Sequence, residues 1–329
     1  MNKVRKRILS GMRPTGRLHI GHLLGALENW VKYQDEYDCF YMVADWHALM
    51  SEYEKPDATR QNIYDCVADW LAFGVDTSKS TVFVQSDVPE HLELYMMLSC
   101  ITPLPWLERC PTYKEQLKEI KGRDLFTYAF LGYPALQAAD IMLYKANIVP
   151  VGKDQLPHLE LTREICRRFN HLYKTDVLIE PQAMLTKTSK LLGIDNRKMS
   201  KSYGNTIALS DEPDVIIKKT KKMITDPQRI KMDDPGHPEV CNVYSYYNVF
   251  APEQSKEVYD WCTGAKKGCT ECKSIMADVL IKRLEEGQKA RKEIVRDKKT
   301  IQNILKNGAE KARDIAGKTM KEVKEAVGL

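Results

Sequence analysis

The chain has 329 residues, 43% apolar and 29% charged, the balance of a soluble globular protein of about two domains. A collagenous repeat and a disordered tail are excluded, and no apolar run approaches the roughly 18 residues that a membrane span needs. Fifty Lys and Arg against 45 Asp and Glu give a formal charge of +5, which suits an anionic partner without requiring one.

The basic start (residues 1–7) runs through Ile8-Leu9 straight into Ser10-Gly11, with no apolar stretch behind it, so no secretory signal is expected and a cytoplasmic location is. Residues 7–11 read as a short strand ending at a glycine turn. Within 21–36, Leu23, Leu24, Leu27, Trp30 and Val31 recur at helical spacing with Glu28 and Lys32 outside. Residues 39–44 (CFYMVA) are a buried-strand candidate, 58–73 a second amphipathic helix, and 81–85 (TVFVQ) a third strand. Strands alternating with helices imply a parallel sheet covered on both faces, with ligands at the carboxyl ends of its strands.

Beyond about residue 205 the strand-like runs stop. Charged stretches at 215–224, 273–295 and 309–328 carry helical periodicity, and the last places Ala312, Ile315, Met320, Val323 and Val327 inward. The expected fold class is therefore α/β: a Rossmann-type parallel-sheet catalytic domain over 1–205, then a mostly α-helical domain over 206–329. Nine cysteines, an odd number, argue against a secreted disulfide framework. Cys39, Cys66, Cys100, Cys110 and Cys166 sit among apolar neighbours and read as small buried hydrophobes. Cys241, Cys262, Cys269 and Cys272 cluster as C-x20-C-x6-C-x2-C, a set that can hold zinc or an iron–sulfur cluster.

Two stretches suit polyphosphate chemistry. In the first, Arg13-Pro14-Thr15-Gly16 turns out of the first strand into His19-Ile20-Gly21-His22, where a helix begins. Its N-terminal backbone N–H groups favour an anion, Gly21 leaves room for a nucleotide, and His19 and His22 stand where charge would develop. In the second, Lys198-Met199-Ser200-Lys201-Ser202 follows a Gly/Asp/Asn loop, with two lysines placed to stabilise a departing pyrophosphate. Either alone also fits an ordinary polar turn; both together, in this order, do not.

With these two stretches the sequence resembles the class I aminoacyl-tRNA synthetases, whose two signatures they match. The resemblance implies ATP and Mg²⁺ as cofactors, His19, His22, Lys198 and Lys201 as catalytic residues, and a Rossmann core. Tyr133-Pro134-Ala135-Leu136-Gln137-Ala138-Ala139-Asp140 resembles the specificity helix of the tyrosyl and tryptophanyl branch, and 149–163 resembles the tryptophanyl version of the next strand and helix. Tyr133, Gln137 and Asp140 share one helix face by spacing. Tyrosyl relatives usually carry a tyrosine where this chain has Leu9, so Leu9 with Val149 and Val151 makes an apolar wall that suits tryptophan.

The resemblance further implies that Asp140 holds the indole nitrogen and that Tyr133 and Gln155 hold the amino and carboxylate groups. Gly152 and Asp154 would meet the ATP ribose. Arg13, Pro14 and Thr15 would lie near the phosphates, with Gly21, Leu191, Met199, Ser200 and Ser202 completing the nucleotide site. Lys153 lies in that nucleotide run where an acidic residue is frequent, Gln137 stands where many bacterial relatives have methionine, and His47 is a pocket wall or a core histidine. A subset of tryptophanyl synthetases carries a similar cysteine motif whose first gap is about 22. A [4Fe–4S] cluster beside the anticodon surface is the favoured reading of the four cysteines, and Zn²⁺ the alternative. The resemblance implies tRNA(Trp) and L-tryptophan as partners and a homodimer through residues around 85–140. The alternatives are a tyrosine–tRNA ligase and a non-catalytic tRNA-binding paralogue.

Overall fold

The protein is known from a computed structural model, which describes residues 5–54, 56–119, 124–186 and 191–329. Five parallel strands form one sheet: β1 (Arg7–Met12), β2 (Asp38–Val43), β3 (Ser80–Val84), β4 (Ile148–Val151) and β5 (Gln182–Leu185), in the spatial order β3-β2-β1-β4-β5. The three strands expected from apolar runs are all present, shifted by one residue at most for the second and third. The chain builds outward from β1 to β3, then restarts on the other side of β1 with β4. The order reverses there, and a crevice opens beyond the carboxyl ends of β1 and β4.

The first connection begins with α1 (Ile20–His22), a π-helical stretch (Leu23–Leu27) and α2 (Glu28–Tyr33). After β2 come α3 (Asp45–Glu52) and α4 (Thr59–Ala72), and after β3 α5 (Glu90–Ile101), α6 (Leu104–Glu108), α7 (Pro111–Glu119) and α8 (Tyr128–Leu143). Helix α9 (Leu156–Tyr173) links β4 to β5. The remainder is helical: α10 (Pro213–Lys221), α11 (Asn242–Phe250), α12 (Ser255–Thr263), α13 (Cys269–Ile294) and α14 (Lys298–Val327). No described helix is long and apolar enough to cross a membrane.

Successive strand residues point to opposite faces, so Ile8 and Tyr41 enter one core while Leu9 and Phe40 enter the other. The C-terminal helices belong to both cores. Met276, Leu280 and Leu284 of α13 and Ile301 and Leu305 of α14 join the first; Ala309, Ala312, Ala316, Met320 and Val323 join the second. Helix α14 thus crosses the edge strand β3 between Leu305 and Ala309. Gly308 marks the crossing, because a Cβ there would lie 1.8 Å from the Val82 carbonyl oxygen. The helix covers a strand edge otherwise open to pairing, and the apolar core runs across residue 205. One of the five scattered cysteines departs from expectation: Cys100 is exposed on α5, while Cys39, Cys66, Cys110 and Cys166 are buried.

Candidate active site

At the end of β1 the chain turns through Arg13 to Gly16, whose φ of +109° only glycine adopts without strain. His19, in extended conformation, caps α1: its Nδ1 accepts from the Gly21 N–H at 3.1 Å, and His22 Nδ1 accepts from the His19 N–H at 3.2 Å. With both Nδ1 atoms accepting, each ring keeps its proton on Nε2 as a donor. Burial, and then the Lys201 charge, pushes His19 down to about 4, and burial with the neighbouring His19 and Lys201 lowers His22. Both rings are neutral donors near neutral pH.

The second signature folds onto this turn. Lys201 Nζ donates to the Gly16 carbonyl at 2.8 Å, and Met199 lies against Gly21, where a Cβ would come 3.3 Å from its sulfur. Buried Asn205 shapes the loop, accepting from the Ser200 N–H at 2.9 Å and donating to the Lys198 carbonyl at 3.0 Å. Backbone bonds from Ile20 to Ile207 and from Leu209 to Leu18 tie the following segment to the first signature. Burial lowers the Lys201 pKa, with nearby Arg13 adding to the effect: positive charge is concentrated there at a cost that an anion would relieve.

Beside the turn, a cavity of about 400 Å³ opens at the strand ends. Leu9, Val149 and Val151 form one side, and Tyr133, Gln137 and Asp140 of α8 project from another, as their spacing predicts. Arg13, His47, Gly152, Gln155 and His158 are also among its lining residues. The Tyr133 hydroxyl lies 3.1 Å from His158 Nε2 and 3.5 Å from Thr112, so its partners are these and not Gln137. Lys153 and Asp154 are exposed on the short turn after β4, Leu191 is buried in the first core, and Pro14 is buried behind the turn.

Asp140 is 2% exposed and accepts from Gln85 Nε2 (2.8 Å), His91 Nδ1 (2.7 Å) and His47 Nε2 (2.7 Å). Burial opposes its ionisation, but the His47 and His91 rings more than offset this and hold the carboxyl well below the usual carboxylate range. Sequence reasoning missed Gln85, His91 and His158. His91 lies between Glu90 and Glu93 in a stretch that reads as a solvated helix face, and His158 was one polar residue in an apolar run; neither position advertises burial.

The family model for class I tRNA synthetases (W and Y) matches residues 1–285. The chain belongs to this family. It is 49% identical to the tryptophan–tRNA ligase of Thermotoga maritima over 326 residues, spanning 98% of this chain and 99% of that protein. Against the tryptophan–tRNA ligase of Aquifex aeolicus it is 42% identical, spanning 98% and 100%. The tryptophanyl-tRNA synthetase of Campylobacter jejuni, solved with ADP and tryptophan, superposes with a TM-score of 0.88 at 32% identity over 98% of this chain and 100% of that one.

The four clustered cysteines of this synthetase come from three elements. Cys241 precedes α11, Cys262 lies in α12, and Cys269 and Cys272 lie in α13; the helix begins at Cys269 itself, not after the pair. All four are half-buried free thiols. Burial, and to a lesser degree the mutual proximity of the thiols, raises Cys241, Cys262 and Cys272, the last to about 12. Among the described residues, no three His, Cys, Asp or Glu side chains are grouped to hold a metal ion, so the arrangement of the thiols supports neither the favoured [4Fe–4S] reading nor the Zn²⁺ alternative. Of the neighbouring lysines, Lys267 stacks 3.9 Å over Trp261 and pairs with Glu271, and Lys273 donates to the Lys221 carbonyl.

Proposed function

We propose that this synthetase is a tryptophan–tRNA ligase of the cytoplasm. The carboxylate of L-tryptophan attacks the α-phosphorus of ATP, expelling pyrophosphate, and the tryptophanyl group then passes to the 3′-terminal ribose of tRNA(Trp). The observation that carries the reading is the convergence of both signature segments on the Gly16–Gly21 turn, directly beside a cavity with an apolar wall and one carboxylate in its lining. The full-length likeness to tryptophan–tRNA ligases supports it.

Asp140 accepts the indole N–H, and Leu9, Val149 and Val151 receive the ring. Tyr133 and Gln155 face the amino and carboxylate groups, with Gln137 beside them. The triphosphate lies along the turn, where His19 and His22 donate from Nε2 and Lys198 and Lys201 meet the charge growing on the leaving pyrophosphate. Gly21, Met199, Ser200 and Ser202 shape that site, and Gly152, Lys153 and Asp154 border the ribose. Bound together with ATP, Mg²⁺ would supply neutralisation of part of the triphosphate charge. Leu9 offers nothing to a phenol oxygen, which would be left unpaired.

A homodimer is supported by the exposed apolar side chains of one region: Met96 is 62% exposed, Phe126 82% and Tyr128 73%. Residues 120–123 of the expected 85–140 interface lie outside the described residues. The reading of the four cysteines as ligands of a [4Fe–4S] cluster rests on their thiolate chemistry and their C-x20-C-x6-C-x2-C spacing. Gly236 leaves the space beside them, since a Cβ there would meet Cys262 Sγ at 2.5 Å. Cys241, Cys262, Cys269 and Cys272 would hold the cluster, whose work is to brace the surface that receives the tRNA. Anaerobic purification should yield iron and sulfide in equal amounts; their absence overturns the cluster.

Amino-acid-dependent exchange of pyrophosphate into ATP tests the main reading. Exchange is expected with tryptophan alone among the protein amino acids. Exchange with tyrosine would make it a tyrosine–tRNA ligase, and none at all would make it a non-catalytic tRNA-binding paralogue.

A further inference from the structure

Beneath the cavity floor His91 is fully buried and uses both ring nitrogens: Nδ1 lies 2.7 Å from Asp140 Oδ1 and Nε2 2.8 Å from the Tyr144 hydroxyl. The Tyr144 phenol is driven well above its ordinary value by burial and by the nearby Asp140 and Glu90 charges, so it keeps its proton. An ionised Asp140 can only accept, so His91 Nδ1 carries the hydrogen that points at it, and the Tyr144 hydroxyl pairs with Nε2. The contacts therefore run in one line, from Tyr144 through His91 to Asp140 Oδ1. Gln85, also fully buried, fills the second site on that oxygen.

Oδ1 is thereby fully occupied, whereas among the described residues Oδ2 accepts only from His47, at the cavity wall. A carboxylate offers about four acceptor sites, so the remaining one is on the oxygen left for the cavity. We propose that His91, backed by Tyr144, is a positioning residue for indole recognition: it pins Asp140 Oδ1 so that Oδ2 is presented to the indole N–H. His91 touches no substrate. This inference rests on the tryptophan reading of the site, and its effect is confined to the N–H of the ring.

The test compares tryptophan with its benzothiophene analogue, 3-benzothienylalanine, which keeps the ring shape but has no N–H to donate. Wild-type adenylate formation should prefer tryptophan; a wild type without that preference overturns the tryptophan reading itself, before any variant is made. In His91→Leu the preference in kcat/KM should fall about tenfold, with the KM for ATP unchanged. His91→Asn, which can still donate toward Asp140, should restore most of it. Equal loss for both amino acids, or an unchanged preference, overturns the proposal. Should His91→Leu fail to fold, Tyr144→Phe keeps the packing and removes only the hydroxyl. It should lower the preference about threefold, and an unaltered preference there is equally fatal.

Discussion

At the end of the cavity proposed for the indole, Asp140 is met by three side-chain donors, two of them fully buried. At the end proposed for the phosphates, His19, His22 and Lys201 are held by backbone atoms and keep donor capacity and charge in reserve. The first region is a network held in place before substrate arrives, with one acceptor site of Asp140 left for the cavity; the second is poised against its own desolvation until an anion comes. Recognition of a neutral ring needs fixed geometry, whereas stabilising a leaving group needs charge that strengthens its interaction in the transition state. Mutations in the two places should therefore fail differently.

Asp140→Ala should have the largest effect, stranding three donors in the interior. We expect a stability loss of about 3–5 kcal/mol, read by urea denaturation, together with loss of tryptophan binding. Lys201→Ala should leave stability and tryptophan binding close to wild type but slow single-turnover adenylate formation by about 10²–10³-fold. The contrast breaks if Lys201→Ala unfolds the protein, or if Asp140→Ala is as stable as wild type.

A third substitution lies outside both regions and calibrates them. Gly308→Ala forces a methyl group into the Val82 carbonyl where α14 crosses β3. About 1–3 kcal/mol of stability should be lost, with the KM values for tryptophan and ATP unaltered. If those constants move instead, the last helix controls the site as well as covering the sheet.

Acid should also separate the regions. Burial holds His19 and His158 down to about 4, against an ordinary value near 6.5. Between those values the unfolded chain binds protons that the folded chain refuses, so stability is lost as pH falls through the window. Each histidine contributes at most about 1.4 kcal/mol per pH unit. His19→Asn should flatten the pH dependence of urea unfolding by about one proton. An unchanged slope would mean that the His19 ring accepts a proton in place.

Much of this was legible in the residues. Continuous apolar runs at 39–44 and 81–85 announced buried parallel strands, and the two signature stretches do meet at one turn. The Tyr133, Gln137 and Asp140 spacing placed one wall of the pocket. The supports of Asp140 were not legible, because Gln85 follows the end of one strand, His91 opens a helix between two glutamates, and only the sheet topology brings them to one carboxylate. The change in composition near residue 205 is real, yet it did not reveal that Ile301 to Val323 return to cover both faces of the sheet. A helical period gives the inward face of a helix but not the surface that face meets.

The gentlest prediction concerns the wall opposite Asp140. Leu9 is 3% exposed and lines the cavity beside Val149 and Val151, so Leu9→Tyr adds a ring and a hydroxyl where an indole would lie. Tryptophan kcat/KM should fall about tenfold, the usual effect of misfit in an apolar pocket, chiefly through KM and with little change in the ATP constant. Tyrosine should gain modestly, since its phenol would find a second polar partner besides Asp140. If tryptophan turnover is untouched, Leu9 is a bystander and the choice of ring is made at Asp140 alone. The Asp140 network would then be the only element selecting the substrate, and the comparison between the two ends of the cavity would sharpen further.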